Sequence, residues 1–518
     1  MEIKKKYIHM NHEKGRANSQ ITLDDDYNLP DYKPDIVKVM KKHGEIKFEQ
    51  IKASDGHIYV KGSLNFIILY RSDLDVRKLD SLTGELPFEE TISMDGVDEL
   101  DPVILTGDIE DLSIGIINSR KLNLRALVML QAVVKDVKEE QLITDAITDE
   151  PAEMKKGNHN VLELLTCKKD NFRYKQEIEL TQSKPNVDQI LWKNIQLRGV
   201  ETRIKDHSIA LSGEVVLYML YYTQGEEARL EWLEEVLPLS GSVACDSCGE
   251  EMVYQIEVSV AHSELEVKPD YDGEDRLLSL DMMLDLNICI WQEEQIELLE
   301  DIYSLHMDMV PSYQEAALTH LLTKNYAKCK VSERMTLDHN QENILQICFC
   351  EGTVQIDQTE ISGAGIMVEG SLDIELLYIT TDDTMPIGTY KGTLAFEQFM
   401  EVTDATEDMV YELHPMIEQL SVILIDNMQI EVKAVINLNL VAFAQENIQK
   451  ICEIKVTERD LDQLQKQPGI TGYIVTREES LWDIAKLNHT TIMQLIETNE
   501  LASEQINKGD KLLIVKTV

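Results

Sequence analysis

The sequence predicts a mainly β protein: three tandem β-sandwich-like repeats, then a small α+β domain of order strand, helix, helix, strand. Three observations carry this. A glycine-led apolar strand recurs three times at domain-sized spacing. A second strand follows each copy at nearly constant distance. Beyond residue 470, two-residue apolar alternation gives way to capped helical periodicity.

The first copy of the strand carries Gly62, Leu64, Phe66, Ile68, Leu69 and Tyr70. The second carries Gly213, Val215, Leu217, Met219, Leu220 and Tyr221, and the third Gly370, Leu372, Ile374, Leu376, Leu377 and Tyr378. Gly62 to Gly213 is 151 positions and Gly213 to Gly370 is 157, a domain duplication rather than a solenoid period. Apolar residues at every second place mark a strand with one buried face. The adjacent Leu-Tyr pair breaks the alternation and implies a strand end covered on both sides. The glycine near the strand start implies a bulge or a close backbone approach.

The second strand contains Leu122, Leu124 and Ala126, then Leu278, Leu280 and Met282, then Ile430, Val432 and Ala434. Val422 to Ile425 reads as one further strand. Two prolines make Leu29 to Asp35 extended, echoed by Lys184 to Ile190. Short helices are expected at Ile36 to Met40 and at Gln314 to Leu322, where Ala317, Leu318, Leu321 and Leu322 have near-helical spacing. The resulting division is 1–150, 151–310 and 311–455 for the three β domains, 456–469 for a linker and 470–517 for the small domain.

Composition bounds the function. The 518 residues exceed one ordinary core, and 43% apolar content suffices for folded domains. Ninety-four acidic against 49 basic side chains give −45, which repels nucleic acid and anionic membranes or wall polymers. Such a surface favours a basic partner face or serves solubility alone. No apolar run of signal-peptide or membrane-helix length is present, so the protein is expected to stay in the cell that makes it. Eight cysteines are sparse for a disulfide scaffold, and free thiols are expected. Cys245 and Cys248 have CxxC spacing, but a zinc site needs four ligands and no second pair lies nearby.

No enzyme motif is visible: no HExxH, phosphate-binding glycine loop, P-loop lysine or G-x-S-x-G elbow. Carboxylate pairs such as Glu89-Glu90 and Glu234-Glu235 are expected by chance in so acidic a chain. Neither a catalytic residue, a metal nor a cofactor is expected.

In the last segment, Ser480 can cap a helix starting at Leu481, with Asp483 at N3, and Thr490 or Thr491 can cap a second. Tyr473, Val475, Leu481, Ile484 and Ala485, then Leu495, Asn499, Leu501, Gly509, Leu512 and Ile514, closely resemble the lysin motif (LysM) family. Where that family has a Gly-Asp-Thr turn beside its sugar groove, this chain has Glu478-Glu479-Ser480. The departure points to a protein partner rather than a glycan.

Three such repeats followed by one LysM resemble the SipL-like, SpoVID-related SPOCS-domain family of endospore-forming bacteria. The resemblance implies a non-enzymatic spore coat scaffold in the mother-cell cytoplasm, at the forespore surface, whose LysM domain binds the coat ATPase SpoIVA. Trp482, beside Leu481 on a short helix, is the first candidate for partner docking, since tryptophans are enriched in interface hot spots. Ile470 and Leu501 are further candidates, and each of the three could instead serve the domain core. Two rival readings are a glycan-binding LysM protein of the peptidoglycan or chitin type, and an adaptor of a phage-tail assembly.

Overall fold

The computed structural model describes residues 1–225, 228–337, 344–382, 385–459, 468–476 and 479–516. It confirms the mainly β class: three sheet-built repeats and a small terminal domain with two helices. Each repeat is six antiparallel strands in two three-stranded sheets. The first uses β1 (Glu2–Asn28), β2 (Ile36–Ser54), β3 (His57–Ser72), β4 (Leu79–Ser93), β5 (Val103–Asn118) and β6 (Lys121–Ile147). One sheet has the order β1-β6-β5, the other β2-β3-β4.

The second repeat follows the same plan with β7 (Ala152–Glu179), β8 (Val187–Lys205), β9 (Ser208–Thr223), β10 (Leu230–Ala244), β11 (Val253–Pro269) and β12 (Asp275–Ser304). The third uses β13 (Met307–Thr336), β14 (Ile344–Ser362), β15 (Gly365–Thr380), β16 (Ile387–Glu401), β17 (Val410–Asp426) and β18 (Gln429–Glu458). The recurring motif strands are β3, β9 and β15, each central in its sheet.

The motif residues have separable jobs. A Cβ on Gly62 would lie 2.5 Å from the Lys47 carbonyl oxygen, and one on Gly370 2.5 Å from that of Gln355. In both places the neighbouring strand shifts register, between Phe48 and Gln50 and between Ile356 and Gln358, so the glycine makes room for a bulged backbone. At the strand end, Tyr70 donates to the Pro34 carbonyl at 3.2 Å and Tyr221 to that of Pro185 at 3.3 Å. Their rings lie in the sandwich cores. Leu69, Leu220 and Leu377 point the other way, into one apolar core where all three repeats meet, with Trp192, Tyr218 and Phe349 among them. The two-sided burial expected of Leu-Tyr is thus a junction between repeats.

Two expected helices are strands. Ile36 to Met40 opens β2, and Gln314 to Leu322 lies inside β13. Bulges explain both errors. β2 shifts register after Ile36 and again after Val39, and β13 shifts between Leu321 and Thr323. Each shift breaks the two-residue alternation and leaves apolar spacings that mimic a helical face.

In each repeat the first and last strands form a ribbon of about 27 paired residues, bulged at two matching places. The skipped residues are Lys14, Leu165 and Leu322 at one level, and Thr144, Glu300 and Cys452 at the other. The outer ends of the three ribbons pack on one another. Ile143, Leu299 and Ile451 occupy matching positions in that bundle, as do Ala146, Ile302 and Ile454.

The expectation of free thiols fails for four cysteines. Cys167 and Cys289 face each other across β7 and β12 and form a disulfide, as do Cys245 and Cys248 in a tight turn. Cys245 and Cys248 occupy the places held by Met94 and Val97 in the first repeat and by Val402 and Ala405 in the third. That pair fills two apolar core positions, which accounts for its CxxC spacing.

The terminal domain comprises β19 (Ile470–Ile474), α1 (Leu481–Asn488), α2 (Ile492–Asn499) and β20 (Lys511–Val515). Ser480 and Asp483 form a reciprocal capping box on α1, and Thr491 with Gln494 forms another on α2.

Candidate functional site

The site is built on the terminal domain. Val475, Leu481, Ile484, Ala485, Leu495, Leu512 and Ile514 are buried and form its core, with Tyr473, Ile492, Ile496, Leu501 and Ile506 packed around them. Asn499 ties the end of α2 to β20: its amide donates to the carbonyls of Leu495 and Leu513, both at 2.9 Å, and its oxygen accepts from the Leu513 N–H. Tyr473 donates to Glu479 at 2.8 Å. Glu478, the other carboxylate of the altered turn, lies outside the described residues.

The three candidate docking residues fall in different environments. Ile470 is 64% exposed on the outer face of the two-stranded β19–β20 sheet, opposite Val515. Ile474, Leu513 and Val515 are also exposed there, around Gly472. Leu501 is half-buried against the core.

Trp482 is only 7% exposed, because it packs on the second repeat. Its indole N–H donates to Asp301 Oδ2 at 2.8 Å, and its ring meets the Tyr303 ring edge-on, centroids 4.9 Å apart. Lys486, one turn further along α1, donates to both Asp301 oxygens at 2.6 and 2.8 Å. Tyr313 adds a hydrogen bond to Asp301 at 2.9 Å, and Tyr303 donates to the Thr490 carbonyl at 2.9 Å.

Burial alone would raise the Asp301 carboxyl. The hydrogen bonds from Lys486, Trp482 and Tyr313 outweigh that and hold its pKa below the ordinary carboxylate value. Asp301 and Tyr303 escaped the sequence reading. Their signal is positional: the matching ribbon residues are Asp145 and Ile147 in the first repeat, and Glu453 and Lys455 in the third, so an acid two places before a tyrosine belongs to the second alone. Seeing it requires the ribbon register.

Fold and site together define a multi-repeat β protein carrying a small terminal α+β domain that packs on the second repeat. The SipL, SPOCS domain family matches residues 35–117, 186–268 and 343–425, and the LysM domain family matches 473–515. The chain therefore carries three SipL-type SPOCS domains and a C-terminal LysM domain, and is a sporulation-related LysM protein. Each SPOCS match spans the four inner strands of a repeat; the long ribbon strands lie largely outside it. Both families are binding or scaffold domains. No curated protein and no solved structure matches the chain. Among the described residues no helix is long and apolar enough to cross a membrane.

Proposed function

We propose that the chain is a non-enzymatic morphogenetic scaffold of the endospore coat, acting in the mother-cell cytoplasm at the forespore surface, and that its LysM domain binds a SpoIVA-like coat ATPase. The observation that carries this is the uncovered apolar face of the two-stranded β19–β20 sheet. Ile470, Ile474, Leu513 and Val515 surround Gly472 there, and an apolar patch of this kind on a small domain is characteristic of a protein interface. Ile470 lies on the open face. Trp482 supplies a second, partly occupied face, and Leu501 supports the core beneath.

A LysM domain suggests glycan binding. The altered turn argues against it in this chain: Glu479 is engaged by Tyr473 and brings negative charge to the loop that lines the sugar groove in glycan-binding members. The test is the Ile470→Asp variant of the full chain. Loss of SpoIVA-like ATPase binding by tenfold or more, with unchanged thermal melting, supports the reading. Undiminished binding would move the interface elsewhere.

A further inference from the structure

We infer that the Trp482–Lys486 face of the LysM domain is a receptor for an extended acidic-x-aromatic segment of a partner protein, and that Asp301-Ile302-Tyr303 of the second repeat occupies it in cis. This rests on the reading of the domain as a protein-docking module, and it names the chemistry that the module takes.

The geometry is that of recognition rather than of incidental packing. Asp301 and Tyr303 alternate with Ile302 on a strand, so both present to one side while Ile302 is buried in the ribbon bundle. The carboxylate receives an indole N–H and both arms of a lysine contact, charge-assisted bonds that single out an acid. The tyrosine supplies an edge-to-face ring contact, a geometry aromatic pairs favour, and its hydroxyl reaches a backbone carbonyl at the turn between the two helices. The groups on the LysM side all come from α1 and that turn; Tyr313 of β13 adds one further bond to Asp301 from outside the domain. A peptide strand with the same two side chains could make every contact on the LysM side.

The choice of repeat follows from the same chemistry. The three ribbons share fold and bulge positions, yet the domain sits on the one that pairs an acid with an aromatic ring. Asp145 of the first ribbon is instead paired with Lys4 and Lys156, and no ring stands two places on. Ten residues separate Arg459 from Ile470 in sequence, and covalent linkage in one chain holds the cis segment at an effective concentration of about millimolar. A partner must therefore bring many copies of its segment or grip the open Ile470 face as well.

The experiment uses the full chain, wild type and Asp301→Ala, and the synthetic hexapeptide Glu-Asp-Ile-Tyr-Ser-Leu copied from residues 300–305. The readout is the Trp482 indole N–H resonance, assigned with Trp482→Phe. The peptide should shift that resonance saturably in Asp301→Ala and at least tenfold more weakly in wild type. A peptide with Asn in place of Asp should not bind. Tyr303→Ala serves as a second released variant should Asp301→Ala disturb the domain, judged by the methyl resonances of Leu495 and Leu512.

Equal peptide binding to wild type and both variants would overturn occupancy in cis, and no binding to either folded variant would overturn the receptor chemistry. Titration of the SpoIVA-like ATPase into the same chains separates this from the functional reading. Peptide binding without ATPase binding sinks the partner alone; ATPase binding without peptide binding sinks this inference alone.

Discussion

Lys450 of the third repeat reaches across the ribbon bundle to Glu140 of the first, and both side chains are almost wholly buried. Their matching positions are aliphatic in the other copies: Leu142 and Leu298 correspond to Lys450, and Ile296 and Ile448 to Glu140. A bundle of three like ribbons could assemble in more than one order, and one buried pair at unlike positions favours a single arrangement.

Removing one partner strips a buried charge of its closest counter-ion, leaving Glu140 with the exposed Lys138 at 3.4 Å. Lys450→Met should therefore cost about 3 kcal/mol in denaturant unfolding, and Glu140→Gln a comparable amount. The double variant Glu140→Ile with Lys450→Leu, which copies the other repeats, should regain most of that loss. An additive double loss would contradict this.

A second, polar contact between all three repeats joins Glu412 and His414 of β17, Gln255 of β11 and Lys135 of β6. Burial would raise Glu412, but His414 and Lys135 draw it down to about 2, while the Glu412 hydrogen bond raises His414. The depressed carboxylate contributes stability that is full above its unfolded pKa of about 4.3 and lost as pH falls toward 2. The raised histidine contributes stability that is full below about 6.5 and lost as pH rises through its folded pKa. Melting temperature against pH should sag at both ends, and Glu412→Gln should flatten both limbs. An unchanged profile would remove the network from the account.

Gly62→Ala and Gly370→Ala should each cost about 2 kcal/mol in thermal or denaturant unfolding, since the added Cβ meets both a backbone carbonyl and a phenylalanine ring. Gly363→Ala, where a Cβ meets nothing, should cost little for steric reasons. Equal effects at all three positions would show that the bulge is not what requires glycine.

The Cys245→Val, Cys248→Ala variant, which copies the third repeat, should fold and melt close to wild type under reducing conditions. The reduced wild-type chain should not retain zinc through dialysis, measured by elemental analysis. Stoichiometric zinc lost in the variant would restore the metal reading of this CxxC.

Much of the β architecture was legible because the central strands β3, β9 and β15 repeat one apolar pattern around a fixed glycine and tyrosine. The LysM domain was legible because its caps and core positions are local in sequence. The ribbons were not. Their bulges at Lys14, Leu165 and Leu322 reverse the phase of alternation, and their outer ends bury residues such as Ile302 in a neighbouring repeat. The docking of Trp482 was hidden for a related reason: Asp301 is one of 94 acidic side chains, and nothing in its own segment marks it.

The most direct test of the central claim is calorimetric titration of the intact chain with the SpoIVA-like coat ATPase, and separately with peptidoglycan and chitin oligomers. The account predicts saturable binding to the ATPase, weakened at least tenfold by Ile470→Asp, and no heat from either glycan. Saturable glycan binding with none to the ATPase would contradict it.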